Sequence, residues 1–232
     1  MILLTNIRSL FLVWALIAAY FIAVAGSAAA AEEGFATKAP RAILIDAATG
    51  ATLFQQRADE PAPPASMSKL MTLAVLFRAM KEGHIHKTDE FTMSVNAWRN
   101  GGAPSGTSAM MVPVNTKVTV DELIQGIAVQ SGNDAAMCVA EGMAGSISAF
   151  ARMMNDEARR IGLTKSTFAN PSGLPDPHQL MSAHDLATLA RYIINEYPDY
   201  YPVFAQKEFR YRNHRFVNRN PLLFLNIGVD GL

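Results

Sequence analysis

The sequence predicts an α+β fold in which strands flank a helical middle. Three observations support it. Residues 41–55 read as two short strands around a turn, five segments between Ser66 and Ile194 read as helices rich in apolar residues, and residues 208–216 return to an aromatic and β-branched pattern. Strands on both sides of a run of helices imply an α+β or mixed-sheet domain with a helical insertion. Half of the 232 residues are hydrophobic, enough for one sizeable core or two small subdomains. The 20 Lys and Arg balance the 20 Asp and Glu, and no block of like charge stands out, so no nucleic acid is expected as a partner.

Arg8, the apolar run from Leu10 to Val24 and the small residues Ala28 to Ala31 read as a secretory signal peptide over residues 1–31, cleaved near Ala30 or Ala31. A run of about 15 residues falls short of the ~20 of a spanning helix, which disfavours an uncleaved anchor. The single cysteine, Cys138, has no partner for an intrachain disulfide, so an exported protein of this composition must rely on its packed core. Cys138 lies in the apolar stretch Ala135-Ala136-Met137-Cys138-Val139-Ala140 and reads as a buried, inert thiol.

The mature part opens with the strands Arg41–Asp46 and Ala51–Gln55, with Gly50 free to take a positive φ in the turn. Pro61, Pro63 and Pro64 then break regular structure, and a helix begins at Ser66 with Leu70, Leu73, Ala74, Phe77 and Met80 on one face and Gly83 as its stop. Residues 84–118, with Gly101-Gly102, Pro104 and Gly106, read as loops with short elements. Thr119-Val120-Asp121-Glu122 has the capping-box pattern and starts a helix through Ile124, Ile127 and Ala128. A turn at Ser131-Gly132-Asn133 separates it from the next helix, which runs to about Glu141. Ser148 is the expected cap of a fourth helix with Phe150, Met153, Met154, Ala158 and Ile161 inward and Gly162 at its end. Ser182 caps a fifth, with Leu186, Leu189, Ala190, Ile193 and Ile194 inward, and residues 208–216 form a strand or hairpin around Asn213-His214.

Two short motifs carry the chemistry. In Ser66-Met67-Ser68-Lys69, a serine and a lysine three apart share one helix face within contact range. A serine hydroxyl is a weak nucleophile at neutral pH, so a lysine that takes its proton must be held neutral, by desolvation or by a second cation. Alone, the pattern describes any capping serine with a surface lysine. Ser131-Gly132-Asn133 is scarcer, although an inter-helix turn capped by Asn133 or Asp134 accounts for it too. Both motifs fall at helix ends, where unpaired backbone N–H groups gather.

In this order and at this separation, the pair resembles the S-x-x-K and S-D-N motifs of penicillin-binding proteins and class A β-lactamases, with Gly132 at the middle position of the second. The sequence is similar to the D-alanyl-D-alanine carboxypeptidase family from about Pro40 to its last residue. Pro64-Ala65-Ser66-Met67-Ser68-Lys69-Leu70-Met71-Thr72 looks like that family's nucleophile segment and Gln130-Ser131-Gly132-Asn133-Asp134-Ala135 like its second motif. Ala169-Asn170-Pro171-Ser172-Gly173-Leu174, Met181-Ser182-Ala183-His184-Asp185-Leu186 and Asn218-Arg219-Asn220-Pro221-Leu222-Leu223 look like its structural landmarks. The resemblance implies the penicillin-binding-protein/serine β-lactamase-like transpeptidase fold, an antiparallel sheet with a helical subdomain. It also implies Ser66 as nucleophile, Lys69 as base, Ser131 as proton relay and Asn133 as holder of the substrate amide. Its reactants would be peptidoglycan stem peptides ending in D-Ala-D-Ala and β-lactam antibiotics, and it needs no cofactor and no metal.

One motif of the family does not occur here. The family's Val-Asp-Gly-hydrophobic segment leads into a Lys-Thr-Gly strand, whereas Val229-Asp230-Gly231-Leu232 are the last residues of this sequence. The expectation is therefore a catalytic domain over residues 32–232 that is incomplete at its C-terminus, inactive or impaired as written, and without the family's C-terminal membrane anchor. A class A β-lactamase is disfavoured because Gly132 stands where Asp belongs and no E-x-x-L-N segment is present. A DD-endopeptidase of the same fold and a non-catalytic peptidoglycan- or penicillin-binding relic are the remaining alternatives.

Other candidates are weaker. His84 and His86 read as solvated loop residues rather than metal ligands. Met67, Met71, Met80, Met153 and Met154 read as core filler, and Glu157 and Asp185 as solvated helix residues.

Overall fold

A computed structural model of the chain describes residues 35–225 and 227–231. Residues 1–31, read from the sequence as a signal peptide, lie outside the described residues. The chain divides into Met1–Lys38 and a compact unit, Ala39–Leu232, which holds the strands and helices. Among the described residues no helix is long and apolar enough to cross a membrane.

The strands pair as three separate antiparallel couples: β1 (Ala42–Ile45) with β2 (Thr52–Gln56), β3 (Glu90–Thr92) with β4 (Lys117–Thr119), and β5 (Glu208–Tyr211) with β6 (His214–Val217). Two-stranded pairs are marginal on their own, so each leans on a helix. β1 packs on the last helix, β3 on the helix that starts at Asn133, and β5 and β6 on the helix that starts at Val120.

The core is built around α1 (Lys69–Lys81), which is buried on nearly every side through Met71, Leu73, Ala74, Leu76 and Phe77. A helix apolar all round belongs inside a bundle. Four others contact it: α3 (Val120–Gln130), α4 (Asn133–Ala144), α5 (Ile147–Arg160) and α6 (Ala183–Glu196). The loop region expected over 84–118 holds β3, β4, a short α2 (Val95–Gly101) capped by Ser94, and a 3₁₀ turn at Ala103–Ser105.

The capping box of α3 forms as expected, with Thr119 Oγ1 accepting from Glu122 N and Glu122 Oε2 accepting from Thr119 N. Ser182 caps α6 in the same way by accepting from Asp185 N. Two boundaries differ. The cap of α5 is Ser146, accepting from Ala149 N, and Ser148 lies inside the first turn. Ser66 does not open an α-helix: Ala65–Ser68 form a 3₁₀ turn and α1 begins at Lys69. Pro64 precedes this turn and Ala65 takes a left-handed φ of 49°, so the chain enters α1 through a tight bend rather than a side-chain cap.

Four side chains depart from their expected environment. Glu157 is 2% exposed and is held by Arg78 and Arg160 from two helices. Asp185 is 6% exposed and accepts from Lys165 N at 2.7 Å and Ser166 Oγ at 2.8 Å. Neither is a solvated surface acid; each carboxylate is buried because partners satisfy it. Met67 and Met153 are exposed, whereas Met71, Met80 and Met154 are core as expected.

Candidate active site

Ser66, Lys69 and Ser131 line one cleft of about 280 Å³, together with Met67, Leu70, Arg219 and the flanking Asn218 and Asn220. Ser66 is exposed at the cleft floor and Lys69 is 3% exposed beneath it. The Lys69 Nζ lies 3.0 Å from Ser66 Oγ and donates to the Ser172 carbonyl at 2.6 Å. The shared face expected from the spacing thus forms, although it spans the junction of a 3₁₀ turn and an α-helix.

Burial pushes the Lys69 amine down to about 7, the positive charge of Arg219 pushes the same way, and Asp134 opposes them. Near neutral pH a large share of this amine is unprotonated, the state a base for Ser66 requires. The sequence suggested a second cation in general terms, but Arg219 itself was read only as part of a structural landmark. Its Nη1 donates to Ser108 Oγ at 2.7 Å, which holds it at the rim.

Ser131 ends α3 with a left-handed φ of 59°, a conformation a non-glycine residue adopts only when its surroundings force it. Gly132 follows with its N–H on the Gly126 carbonyl, and Asn133 starts α4 at once. The reversal between two packed helices thereby delivers Ser131 to the cleft, and its Oγ is buried with no hydrogen-bond partner among the described residues. Asn133 is 5% exposed, set back from the cleft. Its Nδ2 donates to Thr107 Oγ1 at 2.9 Å and its Oδ1 has no partner among the described residues.

Neither Asn133 nor Asp134 caps α4. Asp134 is fully buried and accepts from Met110 N at 2.7 Å and Ala135 N at 2.9 Å, tying the 108–112 segment to the head of the helix. Burial raises its carboxyl above the ordinary value while these N–H groups pull it down. His84 and His86 lie on the surface, away from the cleft residues.

The segment Ala169–Leu174 does more than brace the fold. Pro171 and Ser172 present consecutive carbonyls to one face of α1, the first accepting from Thr72 Oγ1 at 2.7 Å and the second from Lys69. The sequence signal was present in Gly173, whose φ of 79° and contact with the Ala65 carbonyl exclude any side chain: a Cβ would sit 1.8 Å from that oxygen.

Comparison with known proteins agrees over nearly the whole chain. A family model described as D-alanyl-D-alanine carboxypeptidase matches residues 26–232. D-alanyl-D-alanine carboxypeptidase DacC of Escherichia coli is 40% identical over 192 residues, covering 82% of this chain and 48% of that protein. Among solved structures, penicillin-binding protein 5 from Haemophilus influenzae aligns with a TM-score of 0.79 at 37% identity, over 82% of this chain and 55% of the other. Penicillin-binding protein 6B from Escherichia coli aligns with a TM-score of 0.76 at 33% identity, over 83% and 62%. The chain spans about half the length of the curated relatives it matches.

Proposed function

This chain belongs to the D-alanyl-D-alanine carboxypeptidase family, and we propose that it carries that family's serine chemistry, removing the terminal D-alanine of peptidoglycan stem peptides through an acyl-enzyme. One observation carries the reading: a buried amine depressed to about 7 lies 3.0 Å from an exposed serine hydroxyl. In the neutral state Lys69 Nζ accepts the Ser66 proton while Oγ bonds to the carbonyl carbon of the penultimate D-alanine. The first-turn position of Ser66 favours the negative charge that develops beside it. As the tetrahedral adduct collapses, the C–N bond breaks and Ser131 relays the proton held by Lys69 to the departing amine of D-alanine, which returns Lys69 to its neutral state. Water then releases the shortened peptide from Ser66.

Ser131 Oγ and Asn133 Oδ1 support their roles by being buried atoms without partners among the described residues. A hydroxyl awaiting a relay proton and an acceptor awaiting a substrate amide N–H both fit that state. A β-lactam presents a strained amide to the same nucleophile and is the second reactant. The substrate lies outside the cytoplasmic membrane, which agrees with export directed by residues 1–31, with residues 32–232 contributing to the catalytic domain in a periplasm.

Incubation of the purified protein with a penicillin, followed by intact mass measurement, tests this directly. A gain equal to the whole antibiotic is expected, absent in Ser66→Ala. A folded protein that gains no mass, or a Ser66→Ala variant that still does, would overturn the assignment. Release of D-alanine from a peptide ending in D-Ala-D-Ala then tests the substrate.

A further inference from the structure

Lys69 reaches Ser66 from within a framework that extends well beyond the two motifs. Residues 167–180 form a loop whose neck is closed by paired hydrogen bonds between Thr167 and Leu180, at 2.8 and 3.0 Å. Met181 then pairs with Ala62, four residues before Ser66, through two bonds of 2.9 Å. The loop therefore shares a backbone ladder with the segment that delivers the nucleophile.

Inside the loop two amide side chains do the fastening. Gln179 is 2% exposed, and its Oε1 accepts from Ala169 N at 2.7 Å and Asn170 N at 3.0 Å. Asn170 Oδ1 accepts from Gly173 N at 2.8 Å, Ser172 Oγ at 3.1 Å and Ser172 N at 3.2 Å, while its Nδ2 donates to the Leu174 carbonyl at 2.9 Å. Four groups of residues 172–174 thus hang on one side chain, which Gln179 holds by its backbone. The residue they fix is Ser172, whose carbonyl accepts from Lys69 at 2.6 Å.

We propose that Asn170 and Gln179 are positioning residues for the base: by freezing this loop they make the Ser172 carbonyl take one N–H of Lys69 and so aim the amine's lone pair at Ser66. The inference rests on the reading of Lys69 as the base. A neutral amine has two N–H bonds and one lone pair, in tetrahedral arrangement. With one N–H committed to Ser172 at 2.6 Å and Ser66 Oγ at 3.0 Å, the lone pair has a hydroxyl proton to accept. The same loop packs against the amine through that carbonyl, and Lys69 is 3% exposed. A loosened loop would let water reach Nζ and favour the ammonium, which cannot take the proton.

Thr72 offers an independent handle, because its hydroxyl holds the neighbouring Pro171 carbonyl from the α1 side. The test is the titration of Lys69 followed by ¹³C NMR of ε-labelled lysine, its signal assigned by its loss in Lys69→Arg. The wild type is expected to titrate near 7. Asn170→Leu, Gln179→Met and Thr72→Val should each raise the midpoint by about one unit or more as solvation is restored. Glu157→Gln, which removes a buried partner outside the loop, should leave it unmoved.

Folded loop variants that titrate with the wild type overturn the proposal. So does an equal shift in Glu157→Gln, which would reduce the effect to general loosening, and so does a wild-type Lys69 in the ordinary lysine range. The titration needs no turnover, so a missing penicillin adduct would sink the assigned reaction without touching this result.

Discussion

Arg219 acts on Lys69 across the cleft by charge alone, and at an exposed position that influence is open to screening. Its removal has a defined sign. The positive charge of Arg219 disfavours the ammonium of Lys69, so Arg219→Gln raises the amine's pKa and leaves less neutral base at pH 7. The rising limb of a penicillin-acylation pH profile is then expected to move to higher pH, with the difference from wild type shrinking as salt increases. An unmoved limb would assign the depression of Lys69 to burial alone. Ser66 and Lys69 were legible because an i, i+3 pair on a helix is a local pattern. Arg219, like the buried Glu157 and Asp185, was not. A charged side chain looks the same in sequence whether water or a distant partner satisfies it, and the partners of Glu157 lie on two helices.

Among the elements, the β1–β2 hairpin shows how a marginal piece is kept in place. Arg191 of α6 donates through Nε to the Ala47 carbonyl at 2.8 Å and through Nη2 to the Ala48 carbonyl at 3.1 Å, gripping the turn. Gly50 is required there twice over, by its φ of 78° and because a Cβ would stand 2.8 Å from the Arg191 guanidinium. Arg191→Ala should therefore release the hairpin locally: hydrogen exchange is expected to quicken over residues 42–56 with little change in melting temperature. Protection unchanged there would mean that the apolar contact with α6 suffices. The hairpin and five main helices were readable from period and caps. The start of α5 was missed by two residues because Ser146 and Ser148 are equally good caps, and only packing chooses between them. The short β3 and β4 were hidden because three residues carry no period, and their pairing is long-range.

At the scale of the whole molecule, Cys138 reports on the core. It is fully buried in α4, and burial pushes its thiol up to about 12. Since a thiol reacts as thiolate and only where reagent reaches it, a disulfide reagent at neutral pH should label it at the rate of global unfolding, rising in step with denaturant. Fast labelling in native buffer would instead reveal local opening of α4. The sequence by itself determined the α+β class, the buried thiol, and the identity and order of the two motifs, because periodicity, capping and short spacing are properties of neighbouring residues. Only the tertiary structure decided that Ser66, Lys69 and Ser131 share one cleft, that Arg219 depresses the amine, and that a loop about 100 residues further along the chain holds it. Desolvation and hydrogen bonds at that separation exist only once the helices have packed.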